Sequence, residues 1–125
     1  MSEFKVKLKQ PRELSFEEWK VLNKILSTDF VGKDIIVNQL KSAKVISYCP
    51  CGCETVDIKV INNLPKYEYG KTVPVQLTTY SQDGVPIIAA IHISNGYVTE
   101  LEILRVDSEK IDEEINLDQA VIEID

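Results

Sequence analysis

The amino-acid sequence predicts an α+β fold: two N-terminal helices packed on one antiparallel sheet of about five strands. Three observations carry this. A helix-start signature occupies Ser15–Glu18. Alternating apolar stretches flank a cysteine run at 49–53. Asn95-Gly96 joins two long apolar runs as a hairpin turn. The chain has 125 residues, 44% hydrophobic and 27% charged. That length suits one domain with one core, and the composition does not suit general disorder. Residues 1–125 are read as a single domain, with an acidic C-terminal segment over 108–125.

The elements follow in order. Phe4, Val6 and Leu8 alternate with Lys5, Lys7 and Lys9, the pattern of a short strand with a lysine-bearing outer face, or of an extended arm. Pro11 ends it. Ser15 then stands as N-cap with Glu18 at N3, a capping box, and Leu14 and Trp19 take the positions of a hydrophobic staple. Phe16, Trp19, Leu22, Ile25 and Leu26 recur at helical spacing, which places Trp19 in the core. Asp29-Phe30-Val31-Gly32 breaks this helix. A second is expected from about Lys33 to Ser42, with Ile36 and Leu40 one turn apart. Strands are expected over Ala43–Tyr48 and Thr55–Ile61, entering and leaving the cysteine run. Residues 62–74 form a connection longer than most, and its Tyr67 and Tyr69 are candidate contact residues.

An antiparallel meander comes next: a strand over Val75–Tyr80, a turn at Gln82-Asp83-Gly84, a strand over Ile87–Ser94, and a return strand over Tyr97–Val106. Asn95-Gly96 between the last two is a type I′ signal. It sets Ser94 opposite Tyr97. That register puts Ile88, Ala90, His92, Leu101 and Ile103 on one face. Ile87, Ala89, Ile91, Ile93, Val98, Glu100, Glu102 and Leu104 fall on the other. Two helices cover one face of a sheet. The second face is then covered by a terminal segment or used for a partner. On the latter reading Ile91, Ile93, Glu100 and Glu102 are partner-binding residues.

Charge narrows the partners. The net charge is −6, and the stretch from Glu100 to Asp125 holds ten acidic and two basic residues. This argues against nucleic acid and suits a basic protein partner, with Asp112, Glu113 and Glu114 as further contact residues. Ala120–Ile124 reads as a final strand or an anchoring segment. The N-terminus lacks an apolar signal region and no stretch approaches the length of a membrane span, so no membrane role is expected and a cytoplasmic location is the default. Three cysteines cannot all pair within one chain, which fits a reducing compartment.

Cys49-Pro50-Cys51-Gly52-Cys53 holds every cysteine of the chain, and three accounts of it compete. Zinc takes four sulfur, nitrogen or carboxylate ligands, and Cys49, Cys51, Cys53 and the single His92 make such a set by count. Against it, C-x-C-x-C is not a usual zinc spacing, and alternate residues of an extended strand lie too far apart to close on one ion. Pro50 and Gly52 would have to bend the run. A second account is redox chemistry through a Cys51–Cys53 pair, although no helix is expected after the motif to lower a thiol pKa. The third is a buried turn, with cysteine as a small hydrophobe and Gly52 at a bulge or positive φ. No phosphate loop, G-x-S-x-G elbow or H-E-x-x-H motif occurs, and no catalytic residues are assigned.

Phe30-Val31-Gly32, Gln39-Leu40-Lys41-Ser42-Ala43-Lys44-Val45, Cys51-Gly52-Cys53 running into Glu54-Thr55-Val56-Asp57-Ile58, Asp83-Gly84-Val85-Pro86-Ile87 and Leu101-Glu102-Ile103 together resemble a family of small uncharacterised bacterial proteins. The resemblance spans most of residues 22–107 and implies a bacterial cytosolic domain without assigned chemistry. The acidic segment after residue 107 departs from it. Two function classes follow. One is a non-enzymatic protein-binding module, such as an immunity protein neutralising a basic toxin. The alternative is a zinc-binding or thiol-dependent protein using Cys49, Cys51 and Cys53.

Overall fold

A computed structural model describes residues 5–125; Phe4, first of the alternating apolar residues, lies outside them. The elements in chain order are β1 (Val6–Arg12), α1 (Phe16–Ile25), α2 (Lys33–Leu40), β2 (Lys44–Tyr48), β3 (Val56–Lys59), β4 (Val75–Tyr80), β5 (Pro86–Ser94), β6 (Tyr97–Arg105) and β7 (Val121–Ile124). The sheet has seven strands in the order β1-β2-β3-β6-β5-β4-β7, and every pairing is antiparallel.

This corrects the expected five strands. The lysine-rich N-terminal stretch and the C-terminal Val121–Ile124 are both strands, and they form the two edges of the sheet. Nor do the helices precede the sheet: they are inserted between β1 and β2. Pro11 does not end β1, which runs on to Arg12 with a register shift after Lys7. An edge strand tolerates proline because one side of its backbone has no ladder to lose.

The local helix signals hold. Ser15 Oγ accepts from the Glu18 amide and Glu18 Oε1 accepts from the Ser15 amide. The Glu18 carboxylate also receives Arg12 at 2.9 and 3.0 Å. Helix α1 buries Val21, Leu22 and Ile25, while Phe16 is exposed and Trp19 is only partly buried against the core. Ile36 and Leu40 of α2 join the same cluster as Val45, Ile58, Leu77, Ile87, Ile91, Leu101 and Ile103 from the sheet.

Gln39 ties this layer together. It is fully buried, and its amide donates to Pro65 O (3.0 Å) and Gly96 O (2.9 Å) while its carbonyl accepts from Val98 N (2.9 Å). One side chain thereby satisfies Pro65 O of the 60–74 connection and Val98 N of β6, groups that would otherwise be orphaned, and shares Gly96 O of the β5–β6 turn with a second donor. The same connection is pinned by Tyr67 N to Gly96 O (2.8 Å) and Ile93 N to Thr72 O (2.8 Å).

The acidic C-terminal segment is structured. Ile111 is buried in the core, and Ile115, Leu117, Ala120 and Ile122 pack against it. Thr79 Oγ1 donates to Asn116 O at 2.6 Å, and β7 then pairs with β4 from Val75–Ile124 to Thr78–Val121.

Candidate functional site

The β2–β3 connection is a tight turn built from the cysteine run. Cys49 N bonds Thr55 O at 3.1 Å, closing the loop. Gly52 has φ +100°, a value only glycine adopts readily. A Cβ there would lie 2.9 Å from Lys110 Cβ, and Gly52 O accepts from Ile111 N at 3.1 Å. The turn is also stapled to β6. Glu54 N reaches Ile103 O (2.9 Å), and the buried Thr55 hydroxyl bonds both Ile103 N (3.0 Å) and Ile103 O (3.2 Å).

This bend gathers the three sulfurs. Cys51 Sγ lies 2.7 Å from Cys49 Sγ and 3.0 Å from Cys53 Sγ, and all three lie within 4.8 Å of one another. Extended-strand spacing does not separate the sulfurs here, because residues 50–53 are a turn and not a strand. Of the buried-turn account, the turn and the positive φ of Gly52 hold but the burial does not: Cys51 is exposed, and Cys49 and Cys53 are half-buried. Hydrogen bonding from Cys49, then Cys53, to its thiolate brings the Cys51 pKa down to about 7. Burial, followed by the neighbouring Cys51, pushes Cys53 up to about 11.

The cysteines form one wall of a cleft of about 370 Å³, shared with Lys5, Thr55, Glu100, Glu102, Leu104 and Arg105 among others. Arg105 is committed elsewhere. Its guanidinium bonds Asp107 at 2.8 and 3.0 Å and Asp83 at 3.2 and 3.3 Å, and hydrogen bonds from Arg105 bring Asp107 down to about 2. Lys5, expected on a solvent face, has a side chain only 8% exposed, with Nζ 2.6 Å from Asp57 and 3.3 Å from Glu100. Desolvation lowers its pKa, but the bond to Asp57 and the charges of Glu100 and Asp57 outweigh this and raise it.

A β-bulge explains why Glu100 and Glu102 reach this cleft. Ile93 pairs with Val98 but His92 pairs with Glu100, leaving Thr99 as the extra residue on β6. One inserted residue moves the rest of a strand to the opposite face. The uninterrupted register expected from the turn is therefore corrected. Leu101 and Ile103 join Ile91 and Ile93 in the core, while Glu100 and Glu102 stand on the face of His92, with His92 Nε2 3.0 Å from Glu102 Oε1.

The expected ligand set divides accordingly. Cys49, Cys51 and Cys53 form one group, whereas His92 converges with Glu100 and Glu102 in another. The expected partner-binding residues are not brought onto one surface. Ile91 and Ile93 are core residues. Tyr67 is buried and stacks edge-on against the half-exposed Tyr69, with centroids 5.1 Å apart. Both rings cover Gly32, where a Cβ would lie 2.5 Å from Tyr67 Cε2. Glu113 accepts from Gln82 N at 3.0 and 3.2 Å, Glu114 lies 3.8 Å from Lys20 Nζ, and Asp112 is exposed. Sequence reasoning missed Lys5, Thr55 and Asp57; the alternation Val56-Asp57-Ile58, which sets Asp57 off the core face, was the available signal.

The fold and cleft define a small domain with a seven-stranded antiparallel sheet and a thiol-rimmed, carboxylate-floored cleft on the face away from the main core. Among the described residues no helix is long and apolar enough to cross a membrane. The chain belongs to the family described as domain of unknown function DUF6984, whose model matches residues 11–115. No curated protein and no solved structure matches it.

Proposed function

We propose that the protein is a thiolate metal-binding module in which Cys49, Cys51 and Cys53 hold one zinc ion. The observation that carries this reading is the convergence of all three Sγ atoms within 4.8 Å at the cleft. Zinc binds thiolates at about 2.3 Å in a tetrahedral array, which sets its sulfurs about 3.8 Å apart. The present separations of 2.7 and 3.0 Å widen by about 1 Å on loading, which side-chain rotation at this exposed turn accommodates. Metal binding requires deprotonated sulfur, and Cys51 at about 7 supplies the first thiolate near neutral pH. The bound cation itself displaces the protons of its remaining sulfur ligands. Three protein ligands leave the fourth position for a donor from the cleft, as in zinc sites that bind an exchangeable ligand.

Elemental analysis of protein purified under reducing conditions without added zinc tests this. The expected result is at least about one equivalent of zinc, with about one equivalent fewer in Cys51→Ala, because a thiolate site holds its ion through purification. Less than about a tenth of an equivalent, with three freely titrating thiols, overturns the reading.

A further inference from the structure

We infer a second metal site, separate from the cysteines, in which His92, Glu100 and Glu102 bind a borderline divalent cation such as Zn²⁺, Mn²⁺ or Co²⁺. Three observations support it. First, one ligand atom from each residue lies within 4.8 Å of the others, and all three side chains are half-buried. His92 and Glu100 are cross-strand partners on β5 and β6, and Glu102 lies two residues further along β6 on the same face, so the site rests on sheet backbone and not on a mobile loop. Second, the Thr99 bulge is what puts both glutamates on the imidazole's face, and bulges of this kind characteristically re-aim side chains. Third, the local charge does not balance. Glu100, Glu102 and Asp57 bring three carboxylates against one ammonium, Lys5. With the imidazole neutral, as a metal ligand is, the excess of two negative charges matches a divalent ion.

The ligand chemistry sets the class of ion. Imidazole with two carboxylates suits Zn²⁺, Mn²⁺ or Co²⁺ and not the softer ions that prefer all-sulfur sites. Three protein ligands leave open positions toward the cleft. Lys5 Nζ, 3.3 Å from Glu100 and 2.6 Å from Asp57, holds the Glu100 carboxylate directly and leaves the imidazole free. His92 presently contacts Glu102 alone at 3.0 Å, and a cation inserted between them replaces that hydrogen bond with two coordination bonds.

His92 is the only histidine in the chain, which gives a direct readout. Cobalt is titrated into Cys49→Ala/Cys51→Ala/Cys53→Ala protein and followed by absorption and by the proton resonances of the single imidazole. The expected result is saturation near about one equivalent, a ligand-field spectrum without thiolate charge transfer, and paramagnetically shifted imidazole resonances. His92→Gln and Glu102→Gln, both at half-exposed positions, each weaken binding at least about tenfold, since even outer-sphere partners are worth that much. Native protein takes up a second equivalent with the same imidazole shifts. Unmoved imidazole resonances in both proteins, or cobalt affinity unchanged by both substitutions, overturns the proposal. Neither outcome bears on zinc at the cysteines, which the cysteine-free variant lacks.

Discussion

Glu100 stands directly opposite His92 across the β5–β6 ladder, although a regular hairpin closed by Asn95-Gly96 would place Thr99 there. That single displaced residue divides the sheet chemically. On one side Ile91, Ile93, Leu101 and Ile103 are buried with the helices. On the other, His92, Glu100, Glu102 and Lys5 form a polar floor that runs up to the three cysteines. Without the extra residue the two glutamates would have been directed at the core, where an unpaired charge is costly.

The cysteine turn predicts an unusual reactivity profile for the metal-free protein. The thiolate is the nucleophile, so alkylation of Cys51 accelerates as pH rises through its pKa. With that value lowered to about 7 by bonds from Cys49 and Cys53, half-maximal reactivity is expected near neutrality. Peptide mass spectrometry after brief iodoacetamide pulses across a pH series resolves Cys51 from its neighbours. Cys49→Ala/Cys53→Ala removes both side-chain donors and is expected to raise the midpoint toward about 8.5, the ordinary cysteine value. A midpoint already at 8.5 in the native protein would contradict the described hydrogen bonding.

Gln39 predicts a large stability effect far from the cleft. Gln39→Leu keeps the side chain near the same size but strands Pro65 O and Val98 N, while Gly96 O keeps its bond from Tyr67 N. Each buried group left unsatisfied costs about 1–3 kcal/mol, some of it relieved by local water entry. A loss of about 3 kcal/mol in urea unfolding is expected. A change below about 0.5 kcal/mol, the range of an inert surface substitution, would mean that the side chain does not hold the hairpin to the 60–74 connection.

Legibility in the sequence followed how local each cause is. The capping box at Ser15 and Glu18 and the Asn95-Gly96 turn were readable because each is decided within a few residues; Asn95 and Gly96 indeed have φ of 52° and 85°. The bulge at Thr99 was not readable, since it is set by which face of β6 can be buried against helices elsewhere. The edge strands stayed ambiguous because β1 and β7 are mostly exposed and lack the burial pattern that marks a strand. Gln39 sits beside Leu40 on the buried stripe of α2, and a polar residue at such a position was an available signal for a buried network. For the cysteines the sequence supplied the residue types, but their convergence depends on the positive φ of Gly52 and on Thr55 fastening the turn to Ile103.

X-ray absorption at the zinc edge, on protein loaded with one equivalent, is the most direct measurement of the cysteine site. The account predicts a first shell of three sulfurs at about 2.3 Å and one nitrogen or oxygen at about 2.0 Å. A first shell of nitrogen and oxygen alone would contradict it, because the ion would then have passed over Cys49, Cys51 and Cys53.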